Sequence, residues 1–227
     1  MADFEGRIAE LAAAVDRSCD LFEIRNTLNR YLFAFSSFDT MGVLSCFAMD
    51  AEDVTVEFGN GKYVGAEDVA RFYRKREHFG RQVGAMIHHT ALTQSIEIAA
   101  DGKTARAAIA SPGDRCNMET ETQVWDMGRY YVEFLRTDAG WKIWHLQWIV
   151  VAEADIDCGP LMQSSTEPRE VGFPVMSETL RWDARIRMSD QYVDYFQYDE
   201  CFPALPEVPA PYETYDGYKV LHTTRGY

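Results

Sequence analysis

The chain has no stretch of about 18 consecutive apolar residues, so no transmembrane helix is expected. It has no basic excess either. Lys and Arg number 22 against 36 Asp and Glu, for a formal net charge of −14. That balance argues against nucleic acid as a partner, because binding a phosphate backbone needs a basic stripe. The N-terminal stretch MADFEGRIAELAAAVDRS mixes acids and bases and lacks the apolar core of a signal peptide, so it reads as a helix. No two cysteines are spaced for a CxxC pair. Cys19, Cys46, Cys116, Cys158 and Cys201 are an odd set that fits reduced thiols in a cytoplasm and does not fit structural zinc. There is no GxGxxG or P-loop pattern. Of His78, His88, His89, His145 and His222, only one pair is adjacent, and neighbours on a strand point apart. Neither a metal centre nor a cofactor is therefore expected.

What is present is a globular balance, with 47% apolar and 26% charged residues, enough for a sizeable core. Helical spacing runs through Ile8, Leu11, Ala12 and Val15. A second amphipathic segment carries Leu21, Ile24, Leu28, Tyr31, Leu32 and Phe35, with Asp20 and Glu23 placed as a capping box. Ser36–Asp39 interrupts this pattern, and Asp39 is positioned to cap a short helix over TMGVLSCFAM. VTVEFG and KYVG then read as strands around a turn at Gly59–Gly61, and VARFYRKREHFG as a helix. From about residue 86 the stretches MIHHTALTQSIEI, KTARAAIAS, QVWDMGRYYVEFLRT and WKIWHLQWIVVAEAD all read as strands, joined by Asp-Gly and Asp-Ala-Gly turns. Asp114, Arg115 and Asn117 fall in what reads as a loop. The order predicts an α+β fold in which three N-terminal helices cover one face of a curved antiparallel sheet.

Residues 156–227 differ in character. They hold most of the prolines and many aromatics, among them Tyr192, Tyr195, Tyr198, Tyr212, Tyr215 and Tyr218. SETLRWDARIRMSDQYVDYF has helical spacing. The expected division is a domain over 1–155 and an extension over 156–227, serving as a lid on the domain or as an arm to a neighbouring subunit.

Three phrases, in order, carry a resemblance. LFEIRNTLNRYLFAFSSFDTMGVLSCFAMDAEDVTVEFG resembles the opening of SnoaL-like proteins of the nuclear transport factor two-like superfamily. HHTALTQSIEIAADGKTARA resembles their His-bearing strand and Asp-Gly hairpin, and GRYYVEFLRTDAGWKIWH their Gly-Arg-Tyr strand and Gly-Trp hairpin. The resemblance runs from about residue 18 to 150. It implies a cone-shaped sheet closed by helices, with an apolar interior for a ring-bearing ligand. It also implies relatives that include scytalone dehydratase, bile-acid dehydratase, ketosteroid isomerase, epoxide hydrolases and diarylpropane lyases. Such a range means that fold alone does not settle activity.

The resemblance singles out His89 as general acid or base and Tyr31 as a pocket phenol. An imidazole titrates near neutrality and a phenol can polarise a departing hydroxyl, so both residue types suit proton transfer. Tyr31 can equally be a core aromatic. Alternation allows only one of His88 and His89 inside, and the motif register favours His89. The acid that dehydratases carry five residues beyond the helix Tyr is replaced by Ser36, and the second His of scytalone-type enzymes is missing from TARAAIAS. Asp39 is the nearest remaining acid and reads either as a cap or as the group that orients His89. Phe35, Phe58, His88, Trp125, Tyr130 and Trp148 are the expected ligand-contacting residues. Lys62 could hold an anion at the cone mouth or be a surface lysine. Arg129 and Glu133 are expected on the outer sheet face, as a cross-strand pair or an oligomer contact. Together these imply a cofactor-independent lyase acting on a hydroxylated aromatic or polycyclic molecule, by loss of formaldehyde or of water. An isomerase, a hydrolase or a non-catalytic binding module of the same fold remain alternatives, and a homo-oligomer, dimer or trimer, is expected.

Overall fold

A computed structural model describes residues 2–58, 61–117, 122–157 and 206–218. Helix α1 spans Ala2–Ser36, α2 Thr40–Ser45 and α3 Ala66–Gly80; the strands are β1 Thr55–Phe58, β2 Gly61–Val64, β3 Met86–His89, β4 Gln94–Ile98, β5 Thr104–Asn117, β6 Thr122–Thr137 and β7 Gly140–Asp155. The strand order is β2-β1-β7-β6-β5-β3, with β4 also paired to β5. All pairings are antiparallel except β1 with β7. The α+β class, the three helices and the curved sheet are as expected.

Four local expectations are corrected. The two helical segments before Ser36 form one continuous helix, and Asp20 and Glu23 do not cap it. Asp20 Oδ1 instead accepts from Trp141 Nε1 at 3.0 Å, and Glu23 Oε1 from the Trp141 amide at 2.9 Å. A capping signature inside a helix has been diverted to tie α1 to the β7 hairpin, since carboxylates at spacing i, i+3 share one helix face. The stretch MIHHTALTQSIEI is not one strand. Its two halves, β3 and β4, pair successively along β5 on either side of Pro112. Proline has no amide hydrogen to offer a ladder, so the pairing breaks there, and the Thr90 hydroxyl donates to the Pro112 carbonyl at 2.7 Å. Asp114 and Arg115 are not in a loop but lie within β5, whose ladder with β6 continues to Asn117. The expected helix within 177–196 and the turn at Gly59–Asn60 lie outside the described residues.

The core fills the space between sheet and helices. Ile24, Leu28, Tyr31, Leu32 and Phe35 of α1, and Val69, Phe72 and Tyr73 of α3, are buried at i, i+3, i+4 spacing against Ile109, Tyr130, Val132, Phe134, Leu146 and Trp148 of the sheet. The first turns of α1 differ: Phe4, Ile8, Leu11 and Val15 are all exposed.

The described part of the extension, 206–218, lies along the outer sheet face, away from the helices. The amides of Ala100 and Asp101 donate to the carbonyls of Tyr212 and Glu213 at 2.9 and 3.1 Å. Tyr215 and Tyr218 pack on His145 at ring distances of 6.5 and 4.5 Å. Beneath this strap is a buried polar network. The Glu133 carboxylate accepts from Arg106 Nε (3.1 Å), His145 Nδ1 (2.7 Å), the Tyr131 hydroxyl (3.2 Å) and the Tyr215 hydroxyl (2.9 Å). Arg106 also bonds Asp216 and the Gly217 carbonyl. Glu133 is thus on the outer face, in cross-strand register with Arg106, but it is fully buried under the chain's own strap. Lys62 is on this same face, beside Glu57 at 4.0 Å and over the Tyr218 ring, rather than at the cone mouth.

Candidate active site

Alternation along β3 puts Ile87 and His89 inside and His88 outside. His89 is 5% exposed. His88 is exposed and pairs with Asp114 across the β3–β5 ladder at 3.0 Å, so its expected ligand contact is corrected. The same alternation along β6 sends Val124, Asp126, Gly128 and Tyr130 inward and leaves Trp125 on the outer face at 41% exposure, which corrects its assignment as a ligand-contacting residue too.

Inside the cone His89 is held on every side. Its ring stacks on Trp148 at 4.2 Å and meets Phe35 at 4.9 Å. Phe35 in turn stacks on Phe58 at 6.0 Å. The Trp148 indole lies against Gly128, which has no side chain; a Cβ there would collide with the indole. His89 Nδ1 makes a short hydrogen bond with the Tyr130 hydroxyl. His89 Nε2 stands 3.5 Å from Asp126 Oδ2, long for a hydrogen bond but within reach of the carboxylate's charge. Tyr31 lies edge-on to Tyr130 at 6.2 Å, and the Tyr73 hydroxyl donates to the Tyr31 hydroxyl at 3.2 Å. The polar atoms Tyr73, Tyr31, Tyr130, His89 and Asp126 therefore run in sequence through a buried ring cluster.

The charges follow from this burial. Desolvation lowers the His89 pKa below its ordinary 6.5, outweighing the nearby Asp126 carboxylate, which raises it. Burial alone would raise the Asp126 carboxyl, but His89, Arg115 and Arg76 outweigh it and hold the group below its ordinary 3.8. Burial pushes the phenols of Tyr31, Tyr73 and Tyr130 up, so all three stay protonated. An ionised Asp126 can only accept, so Nε2 carries the ring hydrogen of the neutral imidazole. Nδ1 then accepts from Tyr130. A neutral base thus has a carboxylate behind it and a phenol in front, an arrangement able to take a proton, stabilise the imidazolium and return the proton.

Several buried polar atoms have no hydrogen-bond partner among the described residues: His89 Nε2, Trp148 Nε1, Ser111 Oγ, and Nε and Nη2 of Arg76. Ser111 is the cross-strand partner of Gly128, and its hydroxyl belongs to the cone face. Such atoms are uncommon in folded proteins and invite a ligand or water. On the helix side a small cleft, lined by Phe35, Phe38, Asp39, Tyr73, Arg76 and Glu77 among others, reaches the ring cluster.

Asp39 does not orient His89. Its carboxylate accepts from the Gly42 amide at 3.0 Å and caps α2. Residue type explains the error, since aspartate is as good a cap as it is a catalytic partner. Asp39→Ala is expected to cost about 0.5–2 kcal/mol and Asp39→Asn far less, because asparagine caps equally well. Thermal melts of the two variants check this; equal losses would contradict it.

Sequence reasoning missed Asp126, Tyr73 and Arg76, and each had left a signal. Asp126 shares the parity of Tyr130 in VWDMGRYY. Tyr73 and Arg76 continue the apolar stripe begun by Val69 and Phe72 on α3, where an arginine is out of place. Among the described residues no helix is long and apolar enough to cross a membrane, and no three His, Cys, Asp or Glu side chains cluster as metal ligands.

Comparison with known proteins agrees with this architecture. No curated protein sequence matches the chain. Among solved structures, a provisionally assigned scytalone dehydratase from Novosphingobium aromaticivorans DSM 12444 is similar with a TM-score of 0.54 at 14% identity, over 61% of this chain and 89% of that one. Hexachlorocyclohexane dehydrochlorinase LinA type 3 from Novosphingobium barchaimii LL02 is similar with a TM-score of 0.54 at 14% identity, over 63% and 94%. A provisionally assigned dehydratase of the nuclear transport factor two-like family from Streptomyces avermitilis has a TM-score of 0.51 at 17% identity, over 59% and 97%. At identities this low the likeness is one of fold. The model of the SnoaL-like domain matches residues 16–147, which covers the buried part of α1, all of α3, His89, and all the inward residues of β6. The chain belongs to the SnoaL-like domain family.

Proposed function

We propose that this protein is a cofactor-independent lyase that moves one proton within a ring-bearing, hydroxylated small molecule. The observation that carries the reading is the buried relay Asp126–His89–Tyr130, a neutral imidazole between an ionised carboxylate and a protonated phenol. The unpartnered atoms of Ser111, Trp148 and His89 support it, because a bound ligand would satisfy them. Phe35 and Tyr73 wall the cleft, Phe35 packing on His89 and Tyr73 bonding Tyr31 beside Tyr130, so they mark the approach of a ligand.

Two reactions fit the relay, and both balance without another reagent. In dehydration His89 takes a proton from carbon through Tyr130, the carbon–oxygen bond next to it breaks, and the proton leaves with the hydroxyl as water. In loss of formaldehyde the proton comes from a hydroxymethyl oxygen, the carbon–carbon bond breaks, and the proton returns to the carbon left behind. Ser36 leaves the acid position of the dehydratases empty, but Asp126 supplies a carboxylate from β6, so the absence does not favour one reaction over the other. The dehydratase and dehydrochlorinase structures of the same fold support a lyase over an isomerase or hydrolase.

The deciding experiment incubates the full chain, without cofactor, with a panel of lignin-type dimers and hydroxylated polycycles and reads product mass. Loss of water or of formaldehyde is expected from at least one compound. An unchanged mass with altered retention would indicate an isomerase, a gain of water a hydrolase, and no conversion across the panel a binding module.

A further inference from the structure

Arg76 occupies a position that packing alone does not explain. It is the i+3 and i+7 continuation of Tyr73 and Val69 on the buried stripe of α3, and it is 4% exposed. Its guanidinium carbon lies 3.8 Å from the centre of the Phe35 ring, a cation–π contact. The edge is another matter. Nε and Nη2 are buried and make no hydrogen bond among the described residues. Burying charged donors without acceptors costs several kcal/mol, and a sequence selected for stability alone would place an apolar residue here.

Asp126 acts on this cation by charge without a hydrogen bond, so the buried edge still calls for an acceptor that the described residues do not supply. Arg76 lines the cleft that leads to the ring cluster. The cleft has two other charged walls, Asp39 and Glu77, and both are engaged elsewhere: Asp39 caps α2, and Glu77 pairs with Arg81 at 3.2 Å. Tyr73, beside Arg76 in the cleft, directs its hydroxyl to Tyr31. The planar guanidinium edge is shaped for two parallel bonds to a pair of oxygens, the geometry of a carboxylate.

We propose that Arg76 binds an anionic oxygen group of the ligand, so that the ligands of this cone are aromatic carboxylates or equally acidic ring compounds, not neutral polycycles. The inference rests on the cone being a ligand site, as the proposed function requires, but not on any turnover. The anion docks on Nε and Nη2 at the cleft, and the ring it carries lies toward Phe35 and the His89 relay.

The test titrates the full chain with benzoate and with benzamide, its neutral counterpart of nearly the same shape, following tryptophan fluorescence. Wild-type protein is expected to bind benzoate at least about tenfold more tightly than benzamide, the effect of one charge-assisted pair. Arg76→Met, which keeps the apolar stem over Phe35, is expected to lose that preference, and Arg76→Lys to keep part of it. His89→Gln is expected to leave the preference intact, which separates this site from the relay. Arg76→Met is also expected to melt no lower than wild type, because it removes a buried cation that lacks an acceptor. A purely structural arginine would do the opposite. Equal affinity for the two probes, failure to bind either, or a preference that survives in Arg76→Met would each overturn the assignment, whatever the product-mass panel shows about catalysis.

Discussion

His89→Gln lowers kcat/KM on any compound the wild type converts by about a hundred- to ten-thousandfold, the usual contribution of a general acid–base group. Glutamine fills a similar volume between Trp148 and Phe35, so the ring cluster survives and the loss is chemical. The wild-type pH profile carries a second signature. Desolvation depresses the His89 pKa, so the imidazole stays neutral and competent below its ordinary 6.5, and kcat/KM stays level as pH falls through that value and drops only further down. Asp126 raises that pKa; Asp126→Asn therefore moves the acid limb to still lower pH. It lowers the plateau as well, because nothing then stabilises the imidazolium or sets the tautomer. Stability follows the same sign. Below about pH 6.5 the unfolded chain takes a proton that the folded imidazole refuses, so stability declines with falling pH until the folded pKa is reached. Asp126 adds a further decline below about 3.8, where the unfolded carboxyl protonates first. A wild-type acid limb centred at 6.5, or one that Asp126→Asn shifts upward, would sink the relay.

Glu133→Ala is expected to cost about 3–5 kcal/mol in the urea unfolding free energy, the penalty for removing one partner of a buried ion pair. The carboxylate is fully buried and receives bonds from Arg106, His145, Tyr131 and Tyr215, so its loss strips four donors at once. Tyr215→Phe removes a single one of those bonds and should cost only about 0.5–1.5 kcal/mol. The pair of variants separates a charged keystone from ordinary packing. Because Tyr215 and Asp216 tether the strap to this network, Glu133→Ala should also make residues 206–218 more open to limited proteolysis, while Tyr215→Phe changes this little. A cost below about 1 kcal/mol for Glu133→Ala, the range of solvent-exposed pairs, would mean the network holds nothing in place.

The strap also bears on how far the sequence could be read. Its tyrosines called for a surface to cover, and that expectation offered a lid or a subunit arm. The described segment covers the chain's own outer sheet face instead. Nothing local in PALPEVPAPYETYDGY says which face of the sheet it meets. That depended on Glu133 and His145, which lie far away in sequence and come together only through the β6–β7 ladder. The misreading of Asp20 and Glu23 has the same origin. Their spacing is that of a cap, and only the arrival of Trp141, from 118 and 121 residues further along, turned them into acceptors for the sheet.

Periodicity within the sequence determined most of the elements, the α+β class and that only one of His88 and His89 could face inward, because the alternation of a strand and the stripe of a helix are local properties of the backbone; the choice of His89 came from the motif register of the resemblance. Tertiary structure decided which acid stands beside His89, that Nε and Nη2 of Arg76 have no hydrogen-bond partner among the described residues, and where the strap lies. Each of these is a contact between segments tens of residues apart, and the geometry of sheet curvature and helix packing, not any local spacing, brings such segments within a few ångströms of one another.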